Sequence, residues 1–451
     1  MRIRSGWATR SGFYMAAIGS AFGLGNLWRF PYVVGTHGGG AFVVIYILCA
    51  FCIGLPILIA ELMLGKVTQQ SAINAISVIT HHKKSRWLWA GRLAIVASLL
   101  LLAFYGTVSG WVLYFLMQFL MTPLKVESAD TTVLFQQLMS NGYLQLALTG
   151  AHILIVAFVV SKGVRQGIER WVRFIMPVFF ILLLFLMFQS LQLPGSEQAL
   201  RFMFYPDFNK LTLSTLVEVL GHVFFTLSVG MGAMVAFGSY LQPDISPIRA
   251  GVIVCSLDVL ISLLAGLLIF PIVFSGSVGV ESGYSLLFET VPLLFSRMGM
   301  GDYFGIAFFL CLYTTALVAS MGLVESSVSN LVDRYRFSRT TASYSIAGLG
   351  FILAILPSLS SSFLKDFRIN DWDFITAYDT LLINWVLPGT AVGLSLFVGF
   401  KLNRSDKWKE FENKYQGDSR EIFGVWQFVV RWLAPIVIAL ALAGELLDFS
   451  F

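Results

Sequence analysis

An all-α protein crossing a membrane many times is the fold class this sequence predicts, and three observations predict it. Only 12% of the residues are charged while 57% are hydrophobic, and the mean hydropathy is +0.79. A soluble surface needs about twice that charge, near 25%, so a soluble multidomain protein is excluded. Apolar runs of membrane-crossing length, about 20 residues each, recur along the whole chain. Two of those runs carry clusters of closely spaced glycines where a helix interior should be.

Taken in order, the runs predict eleven spans, at roughly 11–35, 40–65, 92–121, 143–161, 172–191, 213–240, 249–275, 302–332, 339–357, 375–400 and 424–448. No twelfth is read. With the N-terminus placed inside, 23 of the 30 Lys and Arg fall in inner segments. The positive-inside rule therefore predicts a cytoplasmic N-terminus, an extracytoplasmic C-terminus and a plasma-membrane location. The net charge of +5 sits in short loops and forms no patch, which excludes nucleic acid as a partner; the bilayer is the expected surroundings. Cys49, Cys52, Cys255 and Cys311 all lie inside apolar runs, as packed free thiols do. The loops hold no nucleophile motif, metal cluster or phosphate loop, so an enzyme is not expected, and no catalytic residue is assigned.

Span 1 reads AIGSAFGLGNLWRFP (Ala17 to Pro31) and span 6 reads HVFFTLSVGMGA (His222 to Ala233). Glycine costs about 1 kcal/mol against alanine inside a helix, so both clusters predict local unwinding. Close helix packing through small residues is the plain alternative for either one. Two clusters five spans apart suggest instead that spans 1–5 (11–191) repeat as spans 6–10 (213–400) in inverted topology, with span 11 (424–448) peripheral and all of 1–451 one domain. Paired interrupted helices point to a transporter's binding site. Unwound N–H and C=O groups must face a ligand or a cavity. A half-helix N-terminus favours a carboxylate and free carbonyls favour a cation, so the pair suits a zwitterion such as an amino acid.

These residues resemble the neurotransmitter:sodium symporter family, particularly its eleven-helix bacterial amino-acid transporters. The matching stretches are WATRSGF (Trp7 to Phe13), GLGNLWRFPY (Gly23 to Tyr32), GGGAF (Gly38 to Phe42), FFTLSVGMGAM (Phe224 to Met234) and LLAGLLIFPIVF (Leu263 to Phe274). The resemblance implies the leucine-transporter-type fold, a 5+5 inverted repeat with discontinuous helices 1 and 6. It also implies ion-coupled import of an amino acid, a small-molecule partner, by alternating access. By motif position it places a substrate carboxylate on the N–H groups of Leu24 and Gly25 and the hydroxyl of Tyr105. The ammonium goes to carbonyls of Ala21, Phe225 and Thr226, beside Ser228. Amine transporters of the family carry Asp at the position of Gly23, so Gly23 favours amino acids. Ser20, Leu101, Phe225, Met231, Ala319 and Leu323 should line an apolar side-chain pocket for hydrophobic or aromatic substrates. Arg29 with Asp379 resembles the outer gate, with Phe225 and Tyr105 as its lid, and Arg4 with Asp333 the inner one. Glu61 and Glu325 read as acids that satisfy N–H groups of the unwound span 6, with proton relay as the alternative.

The family pattern implies two sodium sites. The first takes the carbonyl of Ala21 and the side chains of Asn26, Thr226 and Asp258; its fixed negative charge at Asp258 implies no chloride requirement. The second takes carbonyls of Gly19, Phe22 and Thr315 plus two span 8 hydroxyls. Val318 and Ala319 stand at the hydroxyl positions, so that site is expected to be lost unless Thr314 and Thr315 supply it in another register. His222 replaces the family's usual Gln. It is read either as a neutral hydrogen-bonded side chain or as half of a titrating His222–Asp258 pair adding proton coupling. A non-transporting amino-acid sensor on the same fold is the alternative function. Oligomeric state is not readable.

Overall fold

The computed structural model describes residues 6–82, 84–121, 130–276, 283–296, 301–369, 372–412 and 419–448. Arg4 lies outside them. Among the described residues the protein is helical without a named strand; two isolated bridges, Gly39 with Pro206 and Ile369 with Trp372, are the extended pairings. Nine unbroken helices among the described residues are long and apolar enough to cross a membrane: Gly40–Thr68, Leu88–Met121, Gly142–Ser161, Val164–Ser190, Pro247–Ser275, Gly301–Tyr335, Arg339–Leu359, Phe374–Lys401 and Arg420–Leu446. They coincide with spans 2–5 and 7–11. The two remaining apolar runs, spans 1 and 6, are each built from two short helices.

Local chemistry sets where these helices begin. Thr9, Asn141, Ser338 and Asp373 each accept a first-turn N–H with the side chain, and Thr212 forms a reciprocal capping box with Thr215. Such caps satisfy donors that an isolated helix end leaves orphaned. Proline sets a second pattern. Among the described residues six turns widen to the π type, and five of them, Gly25–Arg29, Ala50–Gly54, Leu286–Thr290, Leu381–Val386 and Val429–Leu433, end two residues before a proline. Proline lacks the N–H that would close the preceding turn, and its ring presses on that turn's carbonyl. Widening the turn relieves the clash without ending the helix.

Packing of the helices around spans 1 and 6 is close. Span 3 lies along span 8, and the second half of span 6 lies on span 2. The latter approach needs glycine on both sides. A Cβ on Gly65 would sit 2.1 Å from the carbonyl oxygen of Val235, and one on Gly238 would sit 2.4 Å from that of Leu62. Small residues of this kind let membrane helices meet backbone to backbone. Large apolar side chains such as Phe174, Ile181, Phe185 and Phe188 remain exposed on the outer surface, where lipid takes the place of a protein partner.

Candidate functional site

The first helix of span 1, Arg10–Ala21, stops at Phe22, whose backbone is extended, and helical structure resumes at Leu24. In span 6, Leu213–Thr226 stops and Ala233–Gly238 resumes after six non-helical residues. The two interruptions touch. Ser228 donates to the carbonyl of Ser20 at 2.7 Å, and the two hydroxyls lie 3.4 Å apart. Ser228 holds φ of 53°, a left-handed conformation that a non-glycine residue adopts only under constraint; its bond to Ser20 supplies that constraint.

Neighbouring helices satisfy the freed backbone groups. Glu61 of span 2 accepts from the N–H of Gly230 at 2.7 Å, and Ser326 of span 8 donates to the carbonyl of Met231 at 2.7 Å. Glu325 is placed otherwise: its carboxylate is taken by Arg339 and by the hydroxyl of Tyr240. Nothing in the run of span 8 signals that partner, because Arg339 comes from the start of the following helix.

Between the interruptions lies a small cavity of about 20 Å³. Ser20, Ala21, Gly25, Thr226 and Ser228 line it with polar groups, and Phe225, Met231, Ala319 and Leu323 with apolar ones. Tyr105 and Gly23 also line it, while Leu101 is fully buried in span 3 without lining it. The N–H of Leu24 donates to the Tyr105 hydroxyl at 2.6 Å. Two groups suited to one carboxylate are therefore held together and bonded to each other. A Cβ at position 23 would fall 2.0 Å from that same hydroxyl, so glycine is what admits Tyr105. The rings of Tyr105 and Phe225 close over the cavity with centroids 6.1 Å apart.

Toward one membrane face, Arg29 forms a 3.0 Å ion pair with Glu218 and a 3.7 Å pair with Asp379. Glu218 also accepts from Asn384 at 2.8 Å, linking spans 1, 6 and 10. Sequence reasoning missed Glu218. Its signal was available, since an acid four residues before His222 shares that residue's helix face. Toward the other face, Asp333 accepts from the N–H of Ser71 at 2.9 Å. Glu169 accepts from the N–H groups of Ala8 and Thr9 at 2.7 and 3.1 Å, tying down the entry to span 1. Glu169 too was unread; it sits in a loop-proximal turn that no motif marks.

Asn26, Tyr46, Asp258 and Ser262 form one buried cluster. The Asn26 amide donates to Asp258 at 2.7 Å and to Ser262 at 2.9 Å; the Tyr46 hydroxyl donates to Asp258 at 3.1 Å and lies 3.0 Å from Ser262. Asp258 is wholly buried, and none of these partners is cationic. A buried carboxylate in that setting needs a cation or a proton to answer its charge. Oxygen donors around one carboxylate suit a hard cation; no cluster of three or more His, Cys, Asp and Glu occurs among the described residues.

The opposite side of the same interruption differs. The span 8 residue facing Gly19 is Val318: a Cβ on Gly19 would lie 2.5 Å from a Val318 methyl and 2.9 Å from the sulfur of Met176. The hydroxyls of Thr314 and Thr315 donate back to Cys311 and Leu312, each at 2.8 Å. Gly19 thus faces a methyl and a thioether sulfur, not side-chain oxygens. His222 is not hydrogen-bonded to Asp258. Its ring lies beside those of Phe30 and Tyr46, at 5.7 and 5.3 Å, and neither ring nitrogen has a partner. Tyr46 contacts both His222 of span 6 and Asp258 of span 7.

Two touching broken helices, wrapped by unbroken ones and flanked by a buried oxygen-rich cluster, define an ion-coupled transporter. The profile of the sodium:neurotransmitter symporter family matches residues 4–141 and 130–362. The chain is 32% identical over 446 residues to the uncharacterized sodium-dependent transporter YhdH of Bacillus subtilis, covering 99% of this chain and 98% of that one. It is 26% identical to the sodium-dependent serotonin transporter of Drosophila melanogaster, over 96% of this chain and 75% of that protein. The crystal structure of MhsT in complex with L-phenylalanine superposes with a TM-score of 0.90 at 32% identity, covering 97% of this chain and 99% of that one. This chain belongs to the sodium:neurotransmitter symporter family. It is a multi-pass membrane transporter of the leucine-transporter-type fold, coupled to sodium, and not an enzyme.

Proposed function

We propose that this protein imports hydrophobic or aromatic amino acids together with sodium by alternating access. One observation carries the reading: the Tyr105 hydroxyl, bonded to the N–H of Leu24, borders a cavity between the two interrupted helices that Met231, Ala319 and Leu323 also line. A zwitterion's carboxylate would replace each of those two groups as the other's partner. The ammonium would meet carbonyls of Ala21, Phe225 and Thr226, and Met231 would adapt to the side chain. The likeness to MhsT, crystallised with L-phenylalanine, supports the same class. The cavity must widen to take substrate, and the Arg29–Glu218–Asp379 cluster is the outer gate that would open. Asp333 belongs to the inner gate, with Arg4 as its expected partner.

In this reading sodium binds at Ala21, Asn26, Thr226 and Asp258. The permanent charge of Asp258 removes the need for chloride, and the Gly19–Phe22–Thr315 position holds no second ion. The topology is eleven crossings in the cell membrane, with 11–191 and 213–400 as inverted repeats, 424–448 peripheral and the N-terminus cytoplasmic. Counterflow of labelled leucine or tryptophan in proteoliposomes, with and without sodium, tests the function. Sodium-dependent counterflow is expected; binding without counterflow would make the protein a sensor.

The unpartnered nitrogens of His222 favour one addition, a proton contribution at His222 near Asp258. Replacing His222 by Gln keeps a polar side chain and removes titration. Its uptake should lose the wild-type pH dependence between about pH 5 and 8; an identical profile would leave His222 a packed neutral ring.

A further inference from the structure

A second built feature lies where spans 4 and 5 join. Span 4 ends at Ser161, Gly163 turns the chain with φ of 93°, and the wide turn Val164–Ile168 opens span 5. The joint forms a cleft of about 1030 Å³, whose cations are Lys162, Arg165, Arg170 and Arg173. The one acid at this joint, Glu169, is fully used. It is buried, it holds Ala8 and Thr9, and its charge is answered by Arg173 at 2.8 Å. Lys162 lies over the ring of Phe158 at 4.9 Å. Among the described residues Lys162, Arg165 and Arg170 form no ion pair with an acid. Three cations thus converge on one concavity without a protein counter-charge.

The cleft's other wall is apolar and faces outward. Phe158, Trp171 and Phe174 are 49%, 40% and 74% exposed, and the exposed faces of spans 4 and 5 continue from them through Leu154 and Ile181. Aromatic side chains of this kind sit at the membrane–water boundary. A free phosphate would use the cations alone. A phospholipid would use both walls, its phosphate on the cations and its chains along the apolar faces. Basic pockets between membrane helices on the positively charged side are where anionic headgroups bind.

We propose that this cleft binds the headgroup of an anionic phospholipid from the leaflet on the basic side of the membrane. Ala8 and Arg173 belong both to the cleft and to the Glu169 latch on the entry to span 1. The lipid therefore sits against the segment that alternating access must move.

Native mass spectrometry of the full chain, delipidated and titrated with phosphatidylglycerol or phosphatidylcholine, tests this without a variant. Wild type should retain one phosphatidylglycerol in preference to phosphatidylcholine, and millimolar inorganic phosphate should not displace it. Equal retention of the two lipids would overturn the proposal, as would displacement by phosphate, which would mark a free-anion site. Lys162→Gln, Arg165→Gln and Arg170→Gln together should lower retention about a hundredfold, since each such cation near an anionic leaflet contributes about fivefold. The control Lys84→Gln, Arg86→Gln and Arg92→Gln removes the same charge from exposed positions elsewhere and should retain lipid as wild type does. Equal loss in the control would reduce the effect to net charge and refute the site.

Discussion

The two sides of the interruption in span 1 carry the same kind of backbone and opposite neighbours. On one side Asn26 meets Asp258 and Ser262, which Tyr46 bonds in turn, all polar, all buried and all hydrogen-bonded. On the other side Gly19 meets the methyls of Val318 and the sulfur of Met176. Exposed carbonyls of one unwound turn are not in themselves an ion site. A sodium ion needs five or six oxygens, and three carbonyls leave the rest to side chains from elsewhere. The proposed reading follows this difference: ion binding on the span 7 side and packing alone on the span 8 side.

The largest effect should come from Asp258→Asn. The amide keeps the shape and can still accept from Tyr46, but the fixed charge is gone. Bonds to a charged group are worth about 1.5–3 kcal/mol, so apparent sodium affinity should fall about 10- to 100-fold. Sodium dependence of uptake measures it. An unchanged affinity would place the ion elsewhere and break the comparison at its polar side. Tyr105→Phe should be milder. It removes the hydroxyl that now accepts from Leu24 and leaves the aromatic lid. Loss of one hydrogen bond to a substrate carboxylate should weaken substrate binding about tenfold, read by equilibrium binding of labelled leucine. An unaltered affinity would take Tyr105 out of the carboxylate site.

How much of this was legible in the chain follows from the range of each interaction. The interruptions were legible because glycine clusters act locally, and they fell at Phe22–Gly23 and after Thr226. The lining of the cavity was legible through motif positions, with Leu101 the residue that packs behind it instead. Partners set by tertiary packing were not. Glu325 pairs with Arg339, Arg29 with Glu218 as well as Asp379, and Glu169 with the backbone of Ala8 and Thr9. Each of those acids has several cations or donors within reach of a plausible fold, and only the packed helices choose among them. The wide turns two residues before proline were not legible either, because Pro177, Pro271 and Pro357 sit inside apolar helices without such a turn.

The smallest expected effect is also the one that sharpens the comparison most, because it adds oxygens where only methyl groups stand, although Ala319 also lines the cavity. Val318→Thr with Ala319→Ser converts a methyl into a hydroxyl on the first residue and adds a hydroxyl to the second. Threonine nearly matches valine in shape, so the Gly19 contact survives. Its hydroxyl can bond the carbonyl of its own preceding turn, as Thr314 and Thr315 already do, so stability should change by less than about 1 kcal/mol. If methyl groups are what keep a second cation out, two oxygens now join the carbonyls of Gly19, Phe22 and Thr315. The Hill coefficient for sodium-driven uptake should then rise from about one towards two, with a modest gain in apparent affinity. A coefficient fixed at one in a well-folded double variant would mean that side-chain oxygens are not the missing element. The carbonyls themselves would then be misdirected, and the two sides of span 1 would differ in backbone geometry and not only in what packs against it.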